Sequence, residues 1–153
     1  MNPISVTEYD ARYKSAFKSL NTEWIGKFFK VEGKDLEQLD HPEACVAEGG
    51  QIFFAIRNGE ALGTCALYNL GEGRFELAKM GVTATAQGLG LGDLLMRAAE
   101  TWACTQGARE IMLQSNTVLS PAISLYRKHG YVEVPMRETD YQRANIEMVK
   151  KLS

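Results

Sequence analysis

The run Gln87-Gly88-Leu89-Gly90-Leu91-Gly92 constrains this chain more than any other stretch. It follows an apolar segment, Phe75 to Val82, and precedes residues whose apolar members Leu94, Leu95, Ala98, Ala99 and Trp102 recur at helical spacing. That order predicts a strand, a loop and an amphipathic helix. Alternate glycines at a helix start let an oxyanion approach main-chain N–H groups that have no partner inside the helix, and the helix dipole adds about 0.3–1 kcal/mol per charge contact. The ligand implied is a phosphate or pyrophosphate. A P-loop would need GxxxxGK followed by Ser or Thr, and the chain has no such run; a dinucleotide fingerprint would need GxGxxG, whereas Gly88, Gly90 and Gly92 give GxGxG followed by Asp93. The pattern that fits is QxxGxG, as Gln87, Gly90 and Gly92.

On the strand before this loop, two-residue periodicity puts Phe75, Leu77, Lys79 and Gly81 on one face and Glu76, Ala78, Met80 and Val82 on the other. Glu76 is then a lone carboxylate among small and apolar neighbours. Upstream, Ile4 to Val6 reads as a short strand and Thr7, Glu8 and Asp10 as a helix start. Tyr13, Phe17, Leu20, Trp24, Ile25 and Phe28 continue at helical spacing, as one long helix or two broken near Asn21. The stretch from Glu32 to Glu48 is acidic and turn-like, with one or two helical turns over Asp35 to Leu39 and a break at Pro42. Gln51 to Arg57 and Ala61 to Tyr68 flank Asn58-Gly59, the strongest short-range hairpin signal, and Gly71-Glu72-Gly73 turns into the Phe75 strand, giving an antiparallel meander. After a helix ending near Gly107, Arg109 to Gln114 forms a strand parallel to that one through a right-handed crossover. Ser120 and Pro121 cap and start a helix over Ala122 to His129, Gly130 stops it, and Tyr131 to Val134 and Ala144 to Val149 close the sheet.

At 153 residues the chain reads as one domain. A net charge of −2 argues against a general nucleic-acid binder, which needs a basic surface. Cys45, Cys65 and Cys104 have no CxxC spacing, as for reduced thiols, and Cys65 and Cys104 fall in apolar patterns that place them in the core. His41 and His129 are isolated and suggest no metal site. The amino-terminal residues lack a basic region followed by an apolar run, and no apolar run approaches membrane-spanning length, so the expectation is a cytoplasmic protein without a leader or membrane partner.

QxxGxG directly after a strand ending in Val82 resembles the acetyl-coenzyme A motif of the GCN5-related N-acetyltransferases, the GNAT superfamily. ELAKMGV resembles that family's fourth strand. Pro121 to Tyr131 resembles its second conserved block, AxxLYxxxGF, with Tyr131 at the Phe position. The resemblance implies a mixed α/β fold: antiparallel strands one to four, then a parallel fourth and fifth pair splayed at the cofactor site, flanked by about four helices. It implies acetyl-coenzyme A as co-substrate, without a metal. Its pyrophosphate would rest on the turn from Gln87 through Gly88, Leu89, Gly90, Leu91 and Gly92 to Asp93. Met80 would offer its main-chain N–H to the thioester oxygen, with Gly81 and Val82 beside the pantetheine arm. Asn116 stands near the family's polar pantetheine contact, although Thr117 to Ser120 shift the spacing. Lys128 is placed to reach the coenzyme A phosphates.

Acetyl transfer to an amine needs a base, because an alkylammonium with a pKa near 10.4 is neutral in only about one molecule in 2,500 at pH 7. By resemblance Glu76 takes this role, directly or through water, and burial must raise its pKa for the step to be efficient. Tyr126 matches the family's Tyr, whose phenol protonates the departing sulfur. A salt-bridged strand carboxylate and a core aromatic are the structural alternatives for these two residues. The acceptor is a primary amine of a small molecule or peptide, its site built from the amino-terminal helices, the meander turns and the loop Pro135 to Arg143. The acidic bias of Glu32 to Glu48 favours a cationic amine. A second functional class, a domain that senses acetyl-coenzyme A without turnover, also fits the motif. Homodimers are common in the family, and no stretch marks an interface.

Overall fold

Two buried faces of one sheet account for most of the apolar residues. The computed structural model describes residues 3–137, 139 and 141–152. Seven strands, β1 (Ser5–Glu8), β2 (Gln51–Arg57), β3 (Glu60–Gly71), β4 (Arg74–Val82), β5 (Glu110–Ser115), β6 (Val132–Val134) and β7 (Ile146–Lys151), lie in the order β1-β2-β3-β4-β5-β7-β6. Five helices flank them among the described residues: α1 (Lys14–Phe28), α2 (Gly33–Asp40), α3 (Pro42–Ala47), α4 (Leu91–Thr105) and α5 (Ser120–Lys128). β1 to β4 are antiparallel neighbours and β4 and β5 are the parallel pair, joined through α4. This is the mixed fold expected, with one helix more.

β2 shows how the sheet is covered on both sides. Phe53 and Ala55 join Cys65, Leu67, Phe75 and Leu77 beneath α4, while Ile52 and Phe54 join Phe17, Leu39 and Cys45 beneath α1 to α3. Trp102 of α4 meets Phe75 edge-on at 5.6 Å, a favoured aromatic geometry. The hairpin between β2 and β3 has both Asn58 and Gly59 at positive φ, 55° and 76°, the conformation of a type I′ turn.

Several local boundaries differ from the sequence expectation. Thr7 belongs to β1, paired with Phe54, and the first helical turn starts after Asp10, whose carboxylate accepts from the Arg12 N–H. α1 runs through Asn21 unbroken because that amide is satisfied within the helix, donating to the Phe17 carbonyl and accepting from the Trp24 indole. Pro42 starts α3 rather than a loop, since proline's missing N–H is free of cost in a first helical turn. The residue capping α5 is Leu119, without a side-chain bond, and Ser120 is already helical. Cys104 is exposed, one position past the buried Ala103 and outside the α4 stripe of Leu91, Leu95, Met96 and Ala99.

Candidate active site

The central strand carries a bulge that strict alternation missed. Thr64 of β3 pairs with Gly81 but Ala66 pairs with Ala78, so Lys79 and Met80 together oppose Cys65. Lys79 has φ 54°, a left-handed conformation that costs a non-glycine residue about 1–2 kcal/mol. The extra residue reverses the side-chain phase. Phe75 and Leu77 point toward α4, and beyond the bulge so do Met80 and Val82. Lys79 instead reaches α2, and a Cβ on Gly81 would lie 2.8 Å from the Trp24 ring of α1. Glu76 therefore shares the α1 and α2 side with Lys79, rather than sharing a face with Met80 and Val82.

Near the same point the parallel pair separates. β4 and β5 are registered only from Arg74–Glu110 to Glu76–Met112. The edge of β4 from Leu77 onward is released from β5 and faces a cavity of about 400 Å³. That cavity reaches from the start of α4, past the released edge, to the carboxyl end of α1 and the segment Tyr141–Ala144. No residue of the two meander turns lines it.

At one end lies the glycine turn. Gln87 anchors it, its side-chain amide donating to the Val82 carbonyl at 3.0 Å, while Glu23 of α1 accepts the Ala84 N–H. Gly88 and Gly90 have φ 82° and 76°, and Gly90 caps α4 without a side-chain bond. The first hydrogen bond reaching back into the turn runs from Leu94 N–H to the Gly90 carbonyl. Leu91, Gly92 and Asp93 thus present N–H groups with no partner inside the helix. A Cβ on Gly92 would sit 2.8 Å from Leu125 Cδ2, so this glycine lets α5 pack against the start of α4. Main-chain amides without intrahelical partners at a positive helix end fit a diphosphate in charge.

At the other end lies a buried ion cluster. Asp35, fully buried, accepts from Lys79 Nζ at 2.7 Å, from Arg143 Nη1 and Nη2 at 2.6 and 2.7 Å, and from the Glu32 N–H. Arg143 also pairs with Glu32 at 3.1 Å, and both cations lie 4.7 Å from the Tyr141 ring centroid. The Tyr141 hydroxyl donates to Gln38 and accepts from Lys79. Burial opposes ionisation of Asp35, but its bonds from Arg143 and Lys79 outweigh that and hold the pKa at about 2. Burial pushes Lys79 down, with Asp35 opposing. Four of the six acidic residues from Glu32 to Glu48 are thus paired within the fold: Asp35 and Glu32 in this cluster, Asp40 with Lys18 and Glu43 with Lys14.

A family model described as the acetyltransferase (GNAT) family matches residues 14–131. The chain belongs to the GNAT acetyltransferase family. No curated protein gives a significant match. Among solved structures, a GNAT acetyltransferase from Staphylococcus aureus Mu50 superposes with TM-score 0.89 at 22% identity, covering 99% of this chain and 100% of its own. The yncA protein of Salmonella typhimurium, solved with its cofactor acetyl-CoA, has TM-score 0.80 at 16% identity, covering 99% and 95%. A ribosomal-protein-alanine N-acetyltransferase from Brucella melitensis has TM-score 0.79 at 16% identity, covering 97% and 99%.

In this GNAT protein one cavity collects Glu76, Met80, Gly81, Val82, Gln87, Gly88, Gly90, Leu91, Gly92, Asp93, Asn116 and Tyr126. Leu89, 46% exposed, and Lys128 do not line it. Lys128 Nζ instead binds Asp93 at 2.9 Å, alongside His129 Nε2 at 2.8 Å, and these two bonds hold the Asp93 carboxyl below its ordinary range. Asn116 donates to the Arg143 carbonyl and accepts from the Val118 N–H, bracing the end of β5. Tyr126 is buried beside the Tyr131 ring at 6.2 Å, and burial, then Cys65, pushes its phenol up to about 12. Sequence reasoning missed Trp24, Phe28, Phe29, Lys79, Tyr141 and Arg143 as individual wall residues. A lysine assigned to the same face as Phe75 and Leu77 was itself the signal of the bulge. Among the described residues no group of three or more His, Cys, Asp or Glu could hold a metal ion, and no helix is long and apolar enough to cross a membrane.

Proposed function

We propose that this chain is a single-domain N-acetyltransferase that moves the acetyl group of acetyl-coenzyme A directly to a primary amine of a small molecule or peptide. The observation that carries the proposal is the cavity joining unpaired amides at the start of α4 to Glu76 through the gap between β4 and β5. Acetyl-coenzyme A supplies an activated thioester. The amides of Leu91 to Asp93 hold its diphosphate, and the released edge of β4 at Met80, Gly81 and Val82 lies along the pantetheine. The Met80 N–H is the donor for the carbonyl oxygen, a preorganised contact typically contributing about 2.7–4 kcal/mol to the barrier.

Glu76 accepts the ammonium proton, directly or through one water. The nitrogen forms the new N–C bond as the S–C bond breaks, Tyr126 delivers a proton to the departing sulfur, and the second proton that the nitrogen sheds on becoming an amide restores the Tyr126 phenol. Its raised pKa keeps that phenol protonated at neutral pH. A yncA structure containing acetyl-CoA and a neighbour that acetylates ribosomal-protein alanine support the donor and the acceptor chemistry by analogy of fold.

The test is thermal unfolding with and without acetyl-coenzyme A, followed by free-thiol release across a panel of amines. Saturating cofactor should raise the unfolding midpoint, and binding at about a hundredfold excess over Kd corresponds to about 2.7 kcal/mol. Stabilisation without thiol release from any amine would identify a sensor; no stabilisation would end the assignment.

A further inference from the structure

The two ends of the cavity differ in chemistry. The cofactor end is built from main-chain amides on the α4 side of the sheet. The other end opens on the α1 side, where Trp24, Phe28, Phe29 and Tyr141 form its walls around Glu76. Phe28 is 50% exposed and, among the described residues, is the only exposed large apolar side chain that lines the cavity. Nothing in the core requires a phenyl ring there. Phe29, which caps α1 in an extended conformation, places a second ring 6.5 Å from it.

The charges at this end are arranged against an anionic acceptor. Lys79 and Arg143 line the wall, but Asp35 binds both of them and Glu32 also binds Arg143, and Glu76 is a third carboxylate on the same side. Lys79 is almost fully enclosed. Lys27 lies 5.4 Å from the Phe28 ring centroid but does not line the cavity. Among the described residues, two cations facing three carboxylates leave no surplus positive charge for a carboxylate on the acceptor. A second ammonium would likewise find Asp35 and Glu32 already occupied. What remains open is aromatic surface.

Resting on the acetyltransferase reading, we infer that the acceptor is a monoamine whose substituent is uncharged, apolar and of aromatic size, its ring seated against Phe28, Phe29 and Trp24 while its nitrogen reaches Glu76.

The full chain is assayed by free-thiol release with acetyl-coenzyme A and three matched probes: 2-phenylethylamine, phenylalanine, which adds a carboxylate, and 1,4-diaminobutane, which replaces the ring by a second ammonium. Burial of one phenyl group predicts kcat/KM for 2-phenylethylamine at least about tenfold above that for 1,4-diaminobutane, and the lack of surplus positive charge predicts that the carboxylate of phenylalanine lowers kcat/KM well below that of 2-phenylethylamine. Phe28→Ala should raise KM for that amine by about tenfold, Phe28→Leu should raise it less, and neither should alter the stabilisation by acetyl-coenzyme A. Phenylalanine or diaminobutane turned over as well as phenylethylamine, or an unaltered KM in Phe28→Ala, overturns the inference. So does stabilisation by acetyl-coenzyme A with none of the three acetylated, an outcome that spares the cofactor assignment. Absence of any stabilisation by acetyl-coenzyme A brings both down together.

Discussion

Glu76 and Tyr126 approach the same cavity from opposite sides of the gap in the sheet, and their roles separate by substitution. Glu76→Gln keeps shape and removes the proposed base, so kcat at pH 7 should fall by about 10²–10⁴ with little change in the acetyl-coenzyme A KM. Steady-state kinetics decide it; turnover equal to the parent protein would return Glu76 to a structural role. Tyr126→Phe retains the ring against Tyr131 and removes only the proton donor. Turnover should drop about tenfold or more while the unfolding midpoint stays close to that of the parent, whereas a packing role predicts normal turnover. Because the phenol is held near 12, activity of the parent should show no loss attributable to Tyr126 below about pH 11. At this scale the short motifs that carry Glu76 and Tyr126 pointed to two residues that line one cavity. Lys79 was not legible, since a bulge is a register relation between two strands and ELAKMGV alone contains only one of them. The trace it left was a buried lysine on an apolar face.

The start of α4 shows which elements are written locally. Strand, turn and helix follow from apolar spacing and glycine chemistry, and so do the Asn58-Gly59 hairpin and the stop at Gly130. The α3 helix, the Leu119 cap and the unbroken course of α1 rest on local bonding that apolar spacing does not carry, such as the Asn21 amide satisfied by Phe17 and Trp24 of its own helix, and sequence spacing misplaced or left open each of them. Gly90 tests the turn as an element. Its φ of 76° suits glycine alone, and a Cβ there would meet no protein atom. Gly90→Ala should therefore cost about 1–2 kcal/mol from the backbone alone. The methyl group would also face the diphosphate site proposed above, so the acetyl-coenzyme A KM should rise more than tenfold with kcat at saturation largely retained. Calorimetric titration with the cofactor measures the binding loss directly; unchanged affinity would mean that the turn serves packing only.

Across the whole molecule, Asp35 ties together three distant parts of the chain: α2, the bulge of β4 at Lys79, and Arg143 in the segment leading to β7. No periodicity announces such a junction, because each member reads as an ordinary surface charge until the fold brings them together. Removing its centre leaves the buried Lys79 without a counterion and Arg143 with Glu32 alone, so Asp35→Asn should destabilise the protein at pH 7 by about 3–5 kcal/mol. The pH dependence follows from the low pKa. A carboxyl near 2 in the folded state and near 3.9 when unfolded stabilises fully above about pH 4 and loses that contribution as the pH falls toward 2, a change on the order of 2 kcal/mol. The parent protein should lose stability steeply between pH 4 and 2, and Asp35→Asn, which has no proton to take up there, should lose correspondingly less. Thermal unfolding of both proteins at pH 7, 4 and 2.5 checks the difference. Parallel declines would show that other carboxylates govern acid unfolding. Because Tyr141 and Arg143 wall the acceptor end, Asp35→Asn should also raise the amine KM more than the acetyl-coenzyme A KM, linking the stability of the junction to the shape of the site.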